Sequence, residues 1–224
     1  MAKAAPAADR KRILLVDDHP IVREGLVQLV NQCADLVGCG EAGGTNEALE
    51  ALGRLRPDLA IVDISFKGSD GLELIKQAST RWPTLPMLVL SMHSEELYAE
   101  RVLRAGARGY IMKQEAASSV LTAIRQVLGG NVYLSAAMRA RLLRHLVDGE
   151  ARRTPGPLDG LSDRELTILR LIGRGHTTRQ IAEQLDLSVR TVASHRDRVR
   201  RKLGLRSGAE LVQYAIRWAE VGGG

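Results

Sequence analysis

The sequence predicts an α/β domain with a flavodoxin-like, five-stranded parallel sheet, followed by a small all-α domain that contains a helix-turn-helix. Two observations predict the first domain. Five short apolar runs alternate strictly with five amphipathic segments over residues 12–130. Four of these runs end in a polar residue, which is typical of the ligand-binding edge of a doubly wound sheet. The second domain is predicted because residues 161–224 carry helical patterns throughout.

The strands are predicted where apolar runs are short and β-branched residues are frequent. The run at residues 59–66 shows this best, because it is apolar on both faces and leads into the turn Lys67–Gly71. Such a run is a strand covered by helices on both sides. In chain order, the predicted strands are 12–17, 36–40, the run leading to Asp63, 87–90 and 109–112.

The intervening helices are predicted from their start residues and from one apolar face each. Pro20 fits the first position of a helix, and Thr45 can cap the next one. The later helices begin near Asp70, Ser94 and Ala116, and the last ends at Gly129-Gly130. The predicted buried face of the first helix is Ile21, Val22, Leu26, Leu29 and Val30.

Residues 131–160 are predicted to join the two domains. Residues 135–147 read as one amphipathic helix, and residues 148–160 are rich in Gly and Pro, which is linker composition. In the second domain, Ser162 and Glu165 form a capping box at the start of a helix. Helices at 178–185 and 188–203 follow with a tight turn between them, which is the spacing of a helix-turn-helix. Apolar residues at helical spacing are expected to form their packed interior, namely Ile181, Ala182, Leu185, Val189, Val192, Val199 and Leu203.

Polar residues follow four strands of the predicted sheet. Asp17 and Asp18 end the first, Asp63 the third, Ser91 the fourth and Lys113 the fifth. Parallel strands bring these ends to one edge, where crowded carboxylates are unfavourable unless a cation lies among them. Mg²⁺ prefers such oxygens, and an ammonium and a hydroxyl suit the oxygens of a phosphoryl group. The alternative, a salt-bridged rim with a helix cap, does not explain all four strand ends together.

The net charge of +6 is concentrated in the second domain. Residues 1–130 carry 15 Lys and Arg against 16 Asp and Glu, whereas residues 131–224 carry 17 against 10, and 16 of those 17 cations are Arg. Cations confined to one domain favour a nucleic-acid partner. The alternative for an Arg-rich helix is a solvated face, and the adjacent two-helix turn makes that alternative weaker.

The compartment is predicted from the apolar segments and the cysteines. No apolar segment approaches the roughly 18 residues of a membrane span. The two cysteines, Cys33 and Cys39, have no metal-ligand partners around them. We therefore expect a reduced, cytoplasmic protein without membrane association.

Residues 12–130 resemble the receiver domain of two-component response regulators, and the whole chain is similar to the NarL/FixJ family. The matching segments are Val16–Pro20, Ile61–Ser65, Ser91 and Gly109–Lys113. The resemblance implies that Asp63 accepts a phosphoryl group from a sensor histidine kinase. One position departs from the family, since Lys67 stands where a proline is usual, and this loosens the loop beside the acceptor.

The same resemblance implies a metal site and a switch. Asp18 binds Mg²⁺ directly and Asp17 binds it more through water, together with Asp63 and the backbone carbonyl of Ser65. The switch hydroxyl is Ser91, the aromatic side chain that moves inward with it is Tyr110, and the phosphate-pairing lysine is Lys113.

Residues 161–224 resemble the LuxR-type DNA-binding domain of the same family. The matching segments are Leu161–Glu165, Ile181-Ala182, Ser188–Val192, His195 and Lys202–Gly204. The resemblance implies that the second helix enters the major groove of double-stranded DNA and that the last helix, 207–220, pairs two copies. The implied DNA contacts are Arg179, Ser188, Arg190, Thr191, Ala193, Ser194, His195, Asp197, Arg198 and Lys202.

The sequence thus predicts a response regulator that is not an enzyme. Phosphorylation of Asp63 is expected to favour a homodimer that binds specific DNA and regulates transcription, with RNA polymerase as a candidate partner. Three alternatives remain open at this point. They are a regulator that acts independently of phosphorylation, a Mg²⁺-dependent phosphohydrolase with an Asp nucleophile, and an RNA-binding antitermination regulator with the same receiver.

Overall fold

The computed structural model describes residues 10–64, 71–148, 158 and 160–219. They form two compact units, the first ending at Ser135 and the second beginning at Ala136. This division falls inside the predicted joint of residues 131–160, and the domain bounds 12–130 and 161–224 stay a prediction. None of the helices in the described ranges combines the length and the apolar character that a bilayer crossing needs.

The first unit contains a five-stranded sheet whose strands pair in parallel in the order β2-β1-β3-β4-β5. This is the flavodoxin-like order, so the predicted fold class is confirmed. The strands are β1 Lys11–Val16, β2 Leu36–Ala42, β3 Leu59–Val62, β4 Met87–Ser91 and β5 Gly109–Met112. Strand β2 runs two residues further than its apolar run predicted, because its last residues, Glu41 and Ala42, still pair with β1.

Helices alternate with these strands as predicted. They are α1 Pro20–Asn31, α2 Thr45–Leu55, α3 Gly71–Arg81, α4 Glu95–Ala105 and α5 Ala117–Leu128. Two details of the prediction were wrong. Thr45 is the first residue of α2 rather than its cap, since Gly44 takes that place without a side-chain bond. Ile21 lies on the solvent side of α1 and is 84% exposed, because the face that packs on the sheet is rotated away from it.

The core of the first unit covers the sheet on both sides, since all four residues of β3 and the last four of β1 are buried. One face packs against α1 and α5. Its buried residues include Ile13, Leu15, Ile61, Leu88, Ile111 and Ile124. Burial on both faces leaves the strand ends as the place where polar side chains can gather.

The strand register brings the carboxyl ends of β1 and β3 side by side. Val16 pairs with Val62, and the Asp63 N–H donates to the Val16 carbonyl at 2.8 Å. The chain then returns close to this point, because Gly71 lies against the backbone of Asp63 and Ile64, where a Cβ atom would collide. Only glycine fits there, so the start of α3 is held against the backbone of Asp63 and Ile64.

The second unit is helical, with α6 Ala136–Asp148, α7 Asp163–Gly173, α8 Thr178–Gln184, α9 Val189–Lys202 and α10 Gly208–Trp218. The predicted capping box is confirmed, since Ser162 and Glu165 bond reciprocally at the start of α7. Helix α7 packs on both α9 and α10. Gly173 allows the close approach to α10, because a Cβ there would meet the Ala215 carbonyl oxygen at 2.5 Å.

A tight turn joins α8 to α9. Asp186 adopts a left-handed conformation with φ of 51°, which Asp tolerates better than most residues. Ser188 then caps α9 by accepting from the Thr191 N–H at 3.0 Å. The sequence pattern placed Val189 in the packed interior, and this was wrong. Val189 is the first residue of α9 and faces solvent.

Candidate functional site

The predicted acidic cluster forms at the carboxyl edge of the sheet. The side chains of Asp17 and Asp63 are each only 3% exposed, and Lys113 lies between them. The Lys113 ammonium donates to Asp17 Oδ2 at 2.5 Å and to Asp63 Oδ2 at 2.8 Å. Residues from three strand ends, far apart in the chain, therefore share one buried network.

Asp18 and His19 complete the cluster on its solvent side. The imidazole Nδ1 of His19 lies 2.8 Å from Asp18 Oδ1 and 3.1 Å from Asp17 Oδ1. Atoms able to ligate a metal, one from each of Asp17, Asp18, His19 and Asp63, lie within 4.8 Å of one another. The sequence pattern indicated the three carboxylates but not the imidazole, although His19 directly follows Asp17 and Asp18 in the chain.

The charge state of Lys113 follows from its neighbours. Burial disfavours the ammonium, but the charge of Asp63 and the hydrogen bonds to both carboxylates outweigh burial, so the pKa of Lys113 lies above its usual value. Lys113 therefore stays protonated throughout the physiological pH range. It supplies one fixed positive charge against the three carboxylates of the cluster.

Ser91 of β4 and Tyr110 of β5 lie on neighbouring strands, two register positions apart, and both are buried. The Ser91 Oγ accepts from the His93 N–H at 3.1 Å, and the Tyr110 hydroxyl donates to the His93 carbonyl at 2.6 Å. Tyr110 was expected to move inward on activation, and in this structure its side chain is already buried. His93 thus links Ser91 to Tyr110, and the sequence pattern did not reveal this. Its ring also packs against the ring of Tyr98 on α4, with 5.2 Å between the ring centroids.

Arg23 of α1 is a third residue that the sequence pattern did not reveal. Its Nη1 donates to the Asp17 carbonyl at 2.5 Å, and its Nε lies 3.2 Å from Glu41 Oε2 at the end of β2. This guanidinium fixes the backbone from which Asp17 projects. Two implied features lie outside the described residues. They are the carbonyl of Ser65 and the unusual Lys67.

The predicted DNA contacts lie in the second unit on α8, α9 and the turn between them. On α9, the residues that share one exposed face are Arg190, Ala193, Ser194, Asp197 and Arg201. Arg201 was absent from the implied set of contacts, although it lies one turn beyond Asp197. The remaining implied residues are Arg179, Ser188, Arg198 and Lys202, which are exposed, and Thr191 and His195, which are half-buried.

Asp197 uses both carboxylate oxygens for neighbouring arginines. Oδ1 accepts from Arg200 Nη2 at 2.7 Å and from Nε at 3.1 Å, and Oδ2 lies 3.1 Å from Arg201 Nε. Hydrogen bonds from Arg200 are the main reason that the pKa of Asp197 lies below its usual value. Arg200 also donates to the Leu205 carbonyl at 3.0 Å, so it ties the end of α9 to the following turn.

Lys202 and His195 each have an environment within the domain besides any contact with DNA. The Lys202 ammonium donates to Glu165 Oε2 at 2.6 Å, and this carboxylate is buried at the start of α7. The His195 Nδ1 is buried and has no hydrogen-bond partner among the described residues. Burial, and then the nearby charge of Arg198, lower the pKa of His195, so its ring is neutral at physiological pH.

The two units match two family profiles. The profile described as response regulator receiver domain matches residues 13–125, and the profile of the bacterial regulatory proteins of the luxR family matches residues 159–215. The chain belongs to the NarL/FixJ family of response regulators. It joins a receiver domain to a LuxR-type DNA-binding domain and is a regulator of transcription.

Similar proteins cover almost the whole of this response regulator. The oxygen regulatory protein NreC of Staphylococcus aureus is 35% identical over 210 residues, which are 92% of this chain and 97% of that protein. RcsB of Salmonella enterica serovar Typhimurium, solved on the promoter rprA with the phosphomimetic BeF3⁻, is 27% identical. That structure has a TM-score of 0.63, and the match covers 92% of this chain and 98% of RcsB. A structure of two RcsB dimers on two parallel DNAs has 27% identity, a TM-score of 0.55 and coverage of 92% and 97%.

The donor set of this response regulator fits a divalent cation. Asp17, Asp18 and Asp63 bring three carboxylates together, and the Lys113 ammonium offsets only one of their charges. Crowded carboxylates of this kind favour a bound cation, and carboxylate oxygens are the ligands that Mg²⁺ prefers.

Replacing Lys113 by alanine should separate modification from response. We expect Asp63 to remain reactive, because its nucleophilic oxygen is retained, but the phosphoryl oxygens would lose the ammonium that Lys113 provides. Phosphorylation should then no longer raise DNA affinity, as measured by fluorescence anisotropy on a labelled duplex. The matched control is Lys11→Ala, which removes an exposed ammonium paired with Asp58 in the same unit. A normal response in Lys113→Ala would contradict this role.

Proposed function

We propose that a sensor histidine kinase phosphorylates this regulator on Asp63 and that phosphorylation increases its affinity for specific duplex DNA. The observation that carries this proposal is the Lys113 ammonium, which bonds to the buried carboxylates of both Asp17 and Asp63. A buried carboxylate beside a fixed cation is well placed to form an acyl phosphate, since the cation can pair with the phosphoryl oxygens.

The chemistry at Asp63 is a phosphoryl transfer. A carboxylate oxygen of Asp63 forms a bond to phosphorus while the bond from phosphorus to the donor breaks and the donor leaves with its electron pair. Asp17, Asp18 and Asp63 would hold the Mg²⁺, which offsets negative charge on the phosphoryl group when bound. Lys113 would then pair with a phosphoryl oxygen, and the hydroxyl of Ser91 would donate to another.

In this proposal, Ser91 couples phosphorylation of Asp63 to a structural change at α4 and β5. Its Oγ accepts from the His93 N–H, so a turn of the hydroxyl towards a phosphoryl oxygen disturbs that bond. The Tyr110 hydroxyl holds the His93 carbonyl, and the His93 ring packs on α4 through Tyr98. Phosphorylation would thus change the face formed by α4 and β5, which we propose controls dimer formation and access to the DNA-binding domain.

The DNA partner is proposed from α9 and from the family. Helix α9 carries an exposed face with Arg190 and Arg201, and its start is fixed by the turn at Asp186. RcsB has been solved both on promoter DNA and as dimers on DNA, so we propose that this chain also binds duplex DNA as a homodimer. We further propose that it acts in the cytoplasm and that RNA polymerase is a downstream partner.

Selection from random-sequence pools of duplex DNA and of RNA, run in parallel, tests this function. Full-length protein activated with beryllofluoride should enrich one duplex motif with two related half-sites, as expected for a symmetric dimer. The enriched duplex should bind far better than single-stranded or folded RNA of the same sequence. Enrichment of RNA instead of DNA would favour the antitermination alternative and contradict the proposed function.

Replacing Asp197 by alanine should leave the base preference of the protein unchanged. Both of its carboxylate oxygens already serve Arg200 and Arg201, so we expect it to orient arginines rather than to read a cytosine. Affinity should fall, because two guanidinium groups lose their fixed orientation. If Asp197 read a base, its replacement by alanine would instead relax the base preference at one position by roughly 5–150-fold.

The control for this variant is Glu183→Ala. It removes an exposed carboxylate that pairs with Arg179 on α8, and so it shows the effect of losing one negative charge and one arginine pair outside α9. Binding to a panel of duplexes, each with one base pair changed, measures preference and affinity together. Relaxed preference at a single position in Asp197→Ala alone would show that Asp197 reads a base.

A further inference from the structure

The His19 imidazole is in direct contact with the carboxylates of Asp17 and Asp18. Its Nδ1 is 2.8 Å from Asp18 Oδ1 and 3.1 Å from Asp17 Oδ1, and the His19 N–H donates to the same Asp17 oxygen at 2.9 Å. The other Asp17 oxygen, Oδ2, accepts from Lys113. One Asp17 oxygen thus contacts the buried ammonium of Lys113, and the other contacts the exposed imidazole of His19.

These distances match the spacing of ligands around one metal ion. In octahedral coordination with bonds of 2.0–2.1 Å, neighbouring ligand atoms lie roughly 3.0 Å apart. The separations of 2.8 and 3.1 Å between the His19 nitrogen and the two carboxylate oxygens are close to this value. The imidazole nitrogen can therefore share an ion with Asp17 Oδ1 and Asp18 Oδ1 at the positions that they occupy.

A nitrogen ligand changes which cation a site prefers. Mg²⁺ selects oxygen ligands and retains water, whereas imidazole suits first-row transition metals, whose affinity rises from Mn²⁺ to Co²⁺ and beyond. The His19 side chain is 61% exposed, so an ion can reach its ring from solvent. We propose that His19 is a direct ligand of the divalent cation and shifts the selectivity of this receiver site from Mg²⁺ towards transition metals such as Mn²⁺ and Co²⁺.

This inference rests on the proposed function, since it assigns a further ligand to the cation site beside Asp63. It differs from the all-oxygen site that the sequence analysis predicts. If the imidazole were only a hydrogen-bonding neighbour of the carboxylates, it would have to leave before any cation could bind. Its removal would then strengthen the binding of all divalent cations alike.

Metal titrations of the full-length protein distinguish these cases. Calorimetry should give the dissociation constants of Mg²⁺ and Co²⁺ for the wild type, for His19→Ala and for the control His176→Ala, which removes an imidazole from the second unit. Loss of a direct ligand should weaken Co²⁺ binding by at least the ~10–100-fold seen for outer-shell partners, while Mg²⁺ affinity stays nearly the same. The visible absorption spectrum of bound Co²⁺ should also change in His19→Ala alone.

Equal effects on Mg²⁺ and Co²⁺, in either direction, would overturn the proposal. Labelling by acetyl phosphate in Mg²⁺, measured on the same samples, keeps the two hypotheses apart. If the wild type and His19→Ala are both labelled but the metal preference is unchanged, only the role of His19 fails. If the wild type is not labelled, the proposed phosphorylation of Asp63 fails, whatever the metal preference.

Discussion

Replacing Asp63 by asparagine should abolish phosphorylation of the protein altogether. Incubation with acetyl phosphate and Mg²⁺ should add one phosphoryl group to the wild type, seen as a single mass increment, and none to Asp63→Asn. Asparagine keeps the shape of the side chain and its place at the end of β3, but its amide is not a nucleophile. The bond from Lys113 to the side-chain oxygen can persist, so the fold around the site should be retained.

The control for this experiment is Asp58→Asn. Asp58 is a carboxylate of the same unit that accepts from the Arg12 N–H at 2.8 Å and from Lys11 at 3.1 Å. This variant should be labelled like the wild type. Full labelling of Asp63→Asn would show that the acceptor lies elsewhere. Sustained turnover of unrelated phosphate esters by the wild type would favour the phosphohydrolase alternative.

Replacing Lys202 by methionine should destabilise the second unit. The Lys202 ammonium bonds to Glu165, whose side chain is only 4% exposed, so its loss leaves a buried carboxylate without this cation. Breaking a fully buried pair costs about 3–5 kcal/mol. Lys202 itself is 43% exposed, and water screens part of the interaction, so we expect a loss of about 1–2 kcal/mol in the free energy of unfolding.

The loss should depend on pH in a defined direction. Burial raises the pKa of Glu165, but the hydrogen bonds from Lys202 and the Ser162 backbone outweigh it, so the folded pKa lies below the usual value. A lowered carboxyl pKa contributes stability that is fully present above the unfolded value of about 4.3 and is lost as pH falls through the folded value. The difference between wild type and Lys202→Met should therefore be largest near neutral pH and vanish in acid.

Urea unfolding followed by tryptophan fluorescence measures this difference. The chain has two tryptophans, and Trp218 lies in α10, so a Trp82→Phe background makes the emission report on the second unit alone. The control is Arg201→Met, which removes the neighbouring cation of α9 that pairs with exposed Asp197 instead. A stability difference that does not change between neutral pH and acid would contradict the role of the Glu165 carboxylate.

The periodicity of the sequence was sufficient to predict the sheet and the edge where the site forms. Asp17 and Asp63 are close because β1 and β3 are neighbours in a parallel sheet, and each carboxylate follows its strand directly. Lys113 follows β5, which β4 separates from β3, and its long side chain reaches both carboxylates from the same edge of the sheet. These positions depend on strand ends, which short apolar runs mark well.

The residues that were overlooked depend on side-chain direction instead. Arg23 bonds to a carbonyl six positions earlier, and His93 acts through its backbone groups, so neither has a motif that periodicity can reveal. Ile21 and Val189 were assigned to packed faces, yet both lie in the first turn of a helix with their side chains exposed, outside the face that packs. Glu165 was predicted as a helix cap, but its pairing with Lys202 required knowledge of how α7 packs on α9.

The most direct test of phosphorylation-controlled DNA binding is one set of anisotropy titrations with the duplex obtained by selection. Full-length protein is titrated with and without beryllofluoride, alongside Asp63→Asn under both conditions. Activation should tighten wild-type binding by about 5–150-fold, the range expected for coupling between two sites, and should leave Asp63→Asn unchanged. If the unmodified wild type binds as tightly as the activated protein, phosphorylation does not control DNA binding, and the regulator acts independently of it.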